Sequence, residues 1–153
     1  MYNDFIIIGP KENPAQINYK DSPLEAFKKI FETSSIFVSR GDDSGTHFKE
    51  MNIWKKTKLN PLKFSGRWYR EAGSGMGATL NLANGMGAYT ITDRASWINF
   101  NNKGELKMFT EKSNILFNQY GIILVNPARC PNVKSNIANK FIKWLTSPEG
   151  QTK

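Results

Sequence analysis

The sequence has few of the residues that build disulfide frameworks and histidine metal sites. It contains one cysteine, Cys130, and one histidine, His47, in 153 residues. A single cysteine forms no disulfide within the chain, which fits a reducing or an oxidising compartment equally well. A single histidine excludes a cluster of histidine metal ligands. We therefore predict no metal site and no cofactor.

Long apolar runs are also missing. The longest, such as Tyr120 to Val125, are far too short to span a bilayer. The first residues, MYNDFIIIGP, have neither a basic leading segment nor a small-residue cleavage site, so no signal peptide is predicted in this chain. They are typical of a buried strand that ends at Gly-Pro. Two interpretations stay open: a cytoplasmic protein, or one whose upstream part is missing.

The composition is that of one ordinary globular domain. About 39% of the residues are hydrophobic, among them four tryptophans and ten phenylalanines, which is enough for a compact core. The net charge of +8 favours either solubility alone or an anionic partner such as nucleic acid, phosphate, a small oxyanion or a membrane surface. The basic residues are scattered rather than grouped, so we do not expect nucleic acid as a partner.

Strand and helix signals alternate along the chain. This alternation predicts the α/β class, with a mostly parallel sheet flanked by helices. The pattern Ser22-Pro23-Leu24-Glu25 is a capping box with proline at the first helical position. The predicted strands are 5–9, 36–39, 88–92 and 120–125, and the predicted helices include 23–32, 44–56 and 135–145.

The segment SRGDDSGTH, residues 39–47, follows the second predicted strand. In an α/β unit the loop from a strand to the next helix lies at the carboxyl edge of the sheet, where ligands bind. A helix that starts near Ser44, capped by Asp42 or Asp43, points the free N–H groups of Ser44, Gly45 and Thr46 towards that edge. The helix dipole adds partial positive charge there.

The same segment carries side-chain donors. Ser39, Ser44 and Thr46 provide hydroxyl groups, and Arg40 provides a planar, permanently charged fork suited to oxyanions. Together they predict a site for a small anion. The alternative is an ordinary capped helix after a tight turn, in which Arg40 pairs with Asp42 or Asp43.

A second glycine-rich segment, GSGMGATLN, raises the same two interpretations. Ser74 is placed to cap a helix, and the N–H groups from Gly75 to Ala78 would then form a second anion site. The alternative is that the glycines permit close helix packing. The resemblance to a dinucleotide-binding fingerprint is weak, because the preceding strand is poor and no clear acidic partner for a ribose follows.

The signals for catalysis are poor, and we predict that the protein is not an enzyme. A catalytic site of Ser39, His47 and Asp93 is conceivable, but no nucleophile elbow is present. Cys130 is far from any predicted helix start and is expected to be an ordinary loop thiol. An enzyme that uses Arg40 and His47 on an anionic substrate remains an alternative.

Six segments of the chain resemble, in their order and separation, the tungstate-binding proteins of bacterial ABC importers. They are YNDFIIIGP, FVSRGDDSGTH, GSGMGATLNLAN, AYTITDRASW, NQYGIILVNP and FIKWLTSPEGQ, and they cover nearly the whole chain. The resemblance implies the type II periplasmic-binding-protein fold, tungstate or molybdate as ligand, and an ABC permease as partner. It implies ligand contacts from Ser39, Arg40, Ser44, Gly45 and Thr46, extended by the second helix start with Gly75, Met76, Gly77 and Thr79.

The resemblance also implies how the chain is divided. Residues 1–10 correspond to a first hinge crossover strand and 11–119 to the second, ligand-binding lobe. Residues 120–153 correspond to a second crossover strand and a C-terminal helix that packs on a first lobe, which is missing here. The full-length family is periplasmic or lipid-anchored outside the cell. Exposed hinge strands and the C-terminal helix predict self-association. A ligand-sensing domain of a regulator, which shares the fold, is an alternative, although no helix-turn-helix is visible.

Overall fold

The computed structural model describes residues 2–110 and 113–152 and divides into two compact units. One unit is Asn3–Asn118, and the other consists mainly of residues 119–152. The strands are β1 Tyr2–Pro10, β2 Phe37–Ser39, β3 Tyr69–Glu71, β4 Thr90–Asp93, β5 Leu106–Met108 and β6 Phe117–Gln119. The α-helices are α1 Pro23–Glu32, α2 Gly45–Thr57, α3 Met76–Met86, α4 Arg94–Asn99, α5 Ser135–Leu145 and α6 Pro148–Gln151, with short 3-10 helices at Pro61–Phe64 and Asn114–Leu116.

The strands form a mixed sheet. β2 and β3 pair in parallel, and β1 pairs antiparallel with β4 on one edge and with β5 on the other. The β2–β3 pair is connected in parallel to the segment that continues into β4. Two hydrogen bonds of 2.8 Å make this connection, from the Val38 N–H to the Tyr89 carbonyl and from the Tyr89 N–H to the Ile36 carbonyl. The prediction of parallel pairing therefore holds for β2, β3 and the β4 segment. It was wrong for β1, which runs antiparallel to β4 and β5.

Helices cover both faces of the sheet, which confirms the predicted α/β architecture. Along β1, Phe5 and Ile7 face a core that includes residues of α1 and α2, whereas Ile6 and Ile8 face a core that includes residues of α3. All four are nearly or fully buried. A strand buried on both faces reads as a continuous apolar run, which explains the FIII segment.

Helix α1 begins as the capping box predicts. The Ser22 hydroxyl oxygen accepts from the Glu25 N–H at 3.2 Å, and the Glu25 carboxylate accepts from the Ser22 N–H at 2.7 Å. These two bonds use N–H groups that otherwise lack partners at a helix start. The helix therefore covers the predicted residues, Pro23–Glu32.

In the unit of residues 119–152, one predicted strand is absent from the described residues. Tyr120 to Val125 was predicted to be a buried strand, but this segment has no regular secondary structure, and the Ile123 side chain is 90% exposed. A strand needs a neighbour for its backbone hydrogen bonds, and the described part of this unit beyond Gln119 contains helices but no strand. An apolar sequence alone therefore did not produce a strand.

Helix α5 has the predicted bounds, Ser135–Leu145, but Lys134 rather than Ser135 is its N-cap residue. Ser147 caps the following short helix, with its hydroxyl oxygen accepting from the Gly150 N–H at 3.2 Å. The helices within residues 2–110 and 113–152 all lack the length and apolar character that a membrane span needs.

Candidate functional site

The two segments singled out in the sequence leave the same edge of the sheet. Ser39 and Glu71 are paired at the ends of the parallel strands β2 and β3. The Ala72 N–H donates to the Ser39 carbonyl at 2.9 Å, and a side chain on Gly41 would lie 3.1 Å from the Glu71 Cβ. Helices α2 and α3 begin a few residues beyond these contacts. Both helix starts therefore lie at the carboxyl edge, where the sequence had predicted the start of α2.

Ser44, and neither aspartate, is the N-cap residue of α2. The Ser44 hydroxyl oxygen accepts from the His47 N–H at 3.3 Å. Asp42 Oδ1 accepts from the Ser44 N–H at 3.2 Å, so Asp42 instead closes the turn before the cap. Asp43 has a left-handed backbone (φ 55) and a side chain that is 89% exposed. The prediction that Asp42 or Asp43 caps the helix was wrong, because Asp43 has a left-handed backbone and Asp42 lies two positions before the cap, so neither side chain reaches the first helical N–H groups.

The first turn of α2 offers free donors. Within the part of the chain that the structure describes, the N–H groups of Gly45 and Thr46 have no acceptor, and the Thr46 hydroxyl has no partner. Gly45 is exposed, and nothing lies within 4 Å of the position that a Cβ would occupy there. Thr46 is nearly buried, at 7% exposure. The Ser44 N–H, in contrast, is already used by Asp42.

Arg40 is partly neutralised inside the turn. Its Nη2 contacts Asp42 Oδ2 in an ion pair in which both side chains are about four-fifths buried. This is the pair that the alternative interpretation of the segment predicted. The Arg40 Nε is nevertheless buried and has no hydrogen-bond partner, a condition shared among the described side chains only with the Trp68 indole nitrogen. One guanidinium donor is therefore left over at the start of α2.

The Asp42 carboxylate is stabilised in its charged form. The hydrogen bond with Ser44 lowers the pKa of Asp42 below its ordinary value, the bond with Arg40 adds to this effect, and partial desolvation opposes it. Asp42 is thus an anion at neutral pH. Asp42 forms an ion pair with the Arg40 guanidinium, the group that was predicted to bind an external anion.

Ser39 does not fit its predicted role as a hydroxyl donor to a ligand. The residue is fully buried, and its hydroxyl donates to Glu50 Oε2 at 2.6 Å. The same oxygen accepts from the Gly41 N–H at 3.2 Å. Because its proton is already donated inside the protein, the Ser39 side chain holds the turn together and does not present a hydrogen to the edge.

The second helix start is open but has fewer side-chain donors. Gly75, and not Ser74, is the N-cap residue of α3, and it makes no side-chain capping bond. Gly75 and Gly77 are exposed with free space around them. Met76 packs into the core beside α3, and the Thr79 hydroxyl donates back to the carbonyls of Gly75 at 3.2 Å and Ser74 at 3.4 Å. Only the backbone of this segment fits the predicted contact, because both larger side chains turn inwards.

The catalytic arrangement of Ser39, His47 and Asp93, which the sequence had left open as an alternative, is not formed in the described residues. The His47 Nδ1 accepts from the Asp43 N–H at 3.1 Å, and the Ser39 hydroxyl is bound to Glu50. The Asp93 carboxylate accepts from the Ser96 N–H at 2.9 Å and from the Asn3 amide at 3.1 Å. No described contact joins these three residues into a proton relay.

Glu50 is the one residue near the site that the sequence interpretation missed. It is fully buried in α2, and its Oε1 accepts from the Tyr69 hydroxyl at 2.7 Å and from the Trp54 indole N–H at 3.1 Å. Burial raises the pKa of the Glu50 carboxyl above its ordinary value, while hydrogen bonds from Ser39, Tyr69 and Trp54 oppose the rise. Its spacing from Thr46, Ile53 and Trp54 along one helix face was a signal available in the sequence.

Comparison with known proteins finds similar chains among binding proteins of transport systems. It is 41% identical over 154 residues to the tungstate-binding protein TupA of Peptoclostridium acidaminophilum, covering 99% of this chain and 53% of the relative. Among solved structures, it matches the tungstate-binding protein TupA of Desulfovibrio alaskensis G20 with a TM-score of 0.85 and 44% identity, over 99% of this chain and 62% of that one. The tungstate ABC transporter structure from Geobacter sulfurreducens matches with a TM-score of 0.87 and 44% identity, over 99% and 63%.

The chain spans about half the length of the curated relatives that it matches. Residues 1–149 match the sequence profile of the PBP superfamily domain. The sheet, its helices on both faces and the two helix starts at one edge agree with that match. The chain therefore belongs to the family of PBP superfamily domains.

Proposed function

We propose that this chain binds tungstate as part of the solute-binding component of an ABC import system. The anion would lie at the start of α2, in contact with Arg40, Gly45 and Thr46, and the backbone at Gly75 and Gly77 would approach it from α3. Molybdate, the anion closest to tungstate in shape and charge, is the expected competitor. The proposed role is binding without catalysis.

The observation that carries the proposal is the set of unused donors at one helix start. The buried Arg40 Nε, the Gly45 and Thr46 N–H groups and the Thr46 hydroxyl have no partners in the described chain. The Arg40 Nε is a buried member of this set, and buried polar groups without a partner are rare because each one is costly in free energy. A dianion with four oxygens would accept hydrogen bonds from all of them, helped by the dipole of a 13-residue helix.

The relatives support the choice of ligand and the transport role. Two of the solved structures and two of the curated relatives are described as tungstate-binding or tungstate transport proteins. Because this chain covers only part of their length, the rest of the binding site, the periplasmic location and the permease partner belong to the proposal. The alternative of a regulatory sensing domain has no separate support in the described residues.

Isothermal titration calorimetry with tungstate, molybdate, sulfate and phosphate tests this function. We expect heat from tungstate and molybdate and much less from the two smaller anions. Arg40→Ala should abolish the tungstate signal, because it removes the fixed positive charge and the unused Nε donor.

Arg70→Ala is the matched control. Arg70 lies on the neighbouring strand β3 and is exposed, so its removal changes the net charge equally without touching the turn. Its tungstate affinity should match that of the wild type. Equal affinities for Arg40→Ala and Arg70→Ala would overturn the proposed site, and the lack of any tungstate signal in the wild type would overturn the function of this chain.

A further inference from the structure

Glu50 is a fully buried acidic residue, and it is not one of the residues proposed to contact the anion. Its two carboxylate oxygens serve different parts of the fold. Oε1 accepts from Tyr69 on β3 and from Trp54 on α2 itself, and Oε2 accepts from Ser39 at the end of β2. One side chain therefore ties the anion-site helix to both strands that lead into the site.

The contact with Ser39 continues into the turn. The Ser39 hydroxyl oxygen accepts from the Gly41 N–H at 3.2 Å, and Gly41 has a left-handed backbone (φ 58). The Ser39 carbonyl also accepts from the Ala72 N–H. This bond fixes the first residue after β3, in the segment that leads to α3. Arg40 lies between Ser39 and Gly41, so its backbone is fixed on both sides by the same side chain.

We propose that Glu50 is a positioning residue for the anion turn and that it acts through the Ser39 hydroxyl. This inference rests on the proposed function for its ligand, while the positioning of the turn itself is a property of the anion-free protein. The cause is geometric. Glu50 holds the Ser39 oxygen, the Ser39 oxygen holds the Gly41 amide, and the turn between them aims the Arg40 side chain.

Simple burial of an acidic residue would not require this order of contacts. If Glu50 only stabilised the core, its bonds with Tyr69 and Trp54 would matter as much for the site as its bond with Ser39. If it positions the turn, only the Ser39 branch affects the site. The two branches end on different carboxylate oxygens, which allows them to be separated by mutation.

The experiment compares both branches in the 153-residue protein. Ser39→Ala removes the Ser39 branch alone, and Glu50→Met removes both branches, with methionine filling the volume of Glu50 without offering an acceptor of similar strength. Tyr69→Phe removes a donor of the other branch. Glu50→Gln is the conservative rescue, because its amide oxygen still accepts from Tyr69 and Trp54 while its N–H group holds the Ser39 oxygen in place.

The first readout is hydrogen exchange of the Gly41 amide, measured by NMR without any anion. We expect exchange about tenfold faster in Ser39→Ala and in Glu50→Met, and no further increase in the double variant, because the first change removes the acceptor of the Gly41 N–H and the second releases the same acceptor from its fixed position. Glu50→Gln and Tyr69→Phe should keep the exchange rate of the wild type.

The second readout is tungstate affinity by calorimetry. It should fall about tenfold in Ser39→Ala and Glu50→Met and stay within about twofold of the wild type in Glu50→Gln and Tyr69→Phe. Wild-type Gly41 exchange in Ser39→Ala overturns the inference, and Ser39→Ala decides it even where Glu50→Met does not fold. A Tyr69→Phe protein as impaired as Ser39→Ala also overturns it. If the wild type does not bind tungstate, the proposed function fails while the exchange data still decide the role of Glu50.

Discussion

Arg40 and Asp42 form an ion pair within the turn that leads into helix α2, and both side chains are about four-fifths buried. The pair places a protein carboxylate where the sequence predicted an external anion. Asp42 also accepts from the Ser44 N–H and so closes the turn. An incoming dianion therefore competes with Asp42 for the Arg40 guanidinium, and the affinity of the site depends on how strongly Asp42 holds it.

Asp42→Asn should increase the affinity for tungstate. The asparagine oxygen still accepts from the Ser44 N–H, but it no longer forms a charge-assisted bond with Arg40. Because a hydrogen bond to a charged group contributes about 1.5–3 kcal/mol, we expect a gain of about tenfold in calorimetric affinity. Asp43→Asn is the control, since it removes the same charge from the next residue, whose side chain is 89% exposed and has no contact with Arg40. An equal gain in both variants would show that net charge, and not release of Arg40, is responsible.

Thr46→Val should weaken tungstate binding without weakening the fold. The Thr46 hydroxyl has no partner among the described residues and is nearly buried, so a methyl group of the same shape replaces it at little cost in stability. The anion, in contrast, loses one hydrogen-bond donor. Calorimetry should show a loss of affinity of about fivefold, and thermal unfolding should show an unchanged or higher midpoint.

Thr79→Val is the matched comparison in helix α3 and should behave in the opposite way. The Thr79 hydroxyl already donates to the Gly75 and Ser74 carbonyls and is fully buried. Its loss should lower the free energy of unfolding by about 1 kcal/mol and leave the tungstate affinity unchanged. A strong loss of affinity in Thr79→Val would restore the original prediction that this side chain contacts the ligand.

These two threonines show how far the sequence alone could predict the site. Each lies in the first turns of a helix that follows a glycine-rich segment, and both were predicted to contact the ligand. Their surroundings differ only in the folded chain, where one hydroxyl finds backbone carbonyls and the other finds none. Local signals such as the Ser22 capping box were sufficient for helix α1, because all of its partners lie within four residues. The role of Ser39 was not predictable, because it depends on Glu50 in the next helix.

The predicted strand at Tyr120 to Val125 failed for a related reason. Its composition is typical of a strand, but a strand also requires a neighbour for its hydrogen bonds, and composition does not provide one. The position of β1 between two antiparallel neighbours was missed in the same way. Pairing partners come from distant parts of the chain, such as Ile8 with Thr90 and Met108.

Glu50 should make the stability of the fold depend on pH. Because burial raises the pKa of Glu50 in the folded protein above its ordinary value near 4.5, the folded state binds a proton at pH values where the unfolded state has released it. The contribution of Glu50 to stability is therefore complete below about pH 4.5 and is lost as the pH rises through the folded pKa. Urea unfolding from neutral pH down to about pH 5 should show the wild type gaining stability relative to Glu50→Gln.

The comparison with Glu50→Gln cancels the other titrating groups. Asp42 and Asp21 have lowered pKa values and lose their contributions as the pH falls, but both are present in the two proteins. Only the difference between the two unfolding free energies reports on Glu50. A difference that is constant with pH would contradict the raised pKa.

The apolar face of helix α5 should cause the chain to self-associate. Ile137, Phe141 and Trp144 lie at helical spacing and are 65%, 52% and 41% exposed, and no residue of this helix is buried. Burying apolar surface stabilises by about 25 cal/mol per Å², so two copies are stabilised when they cover these faces.

Size-exclusion chromatography with light scattering should show a mass that increases with concentration in the wild type and stays that of a monomer in Ile137→Ser/Phe141→Ser. Lys140→Ser, a change in the same helix that leaves these three side chains in place, is the control and should associate as the wild type does. A wild type that stays monomeric at high concentration would contradict the prediction, since it would show that this face is tolerated in water without a partner.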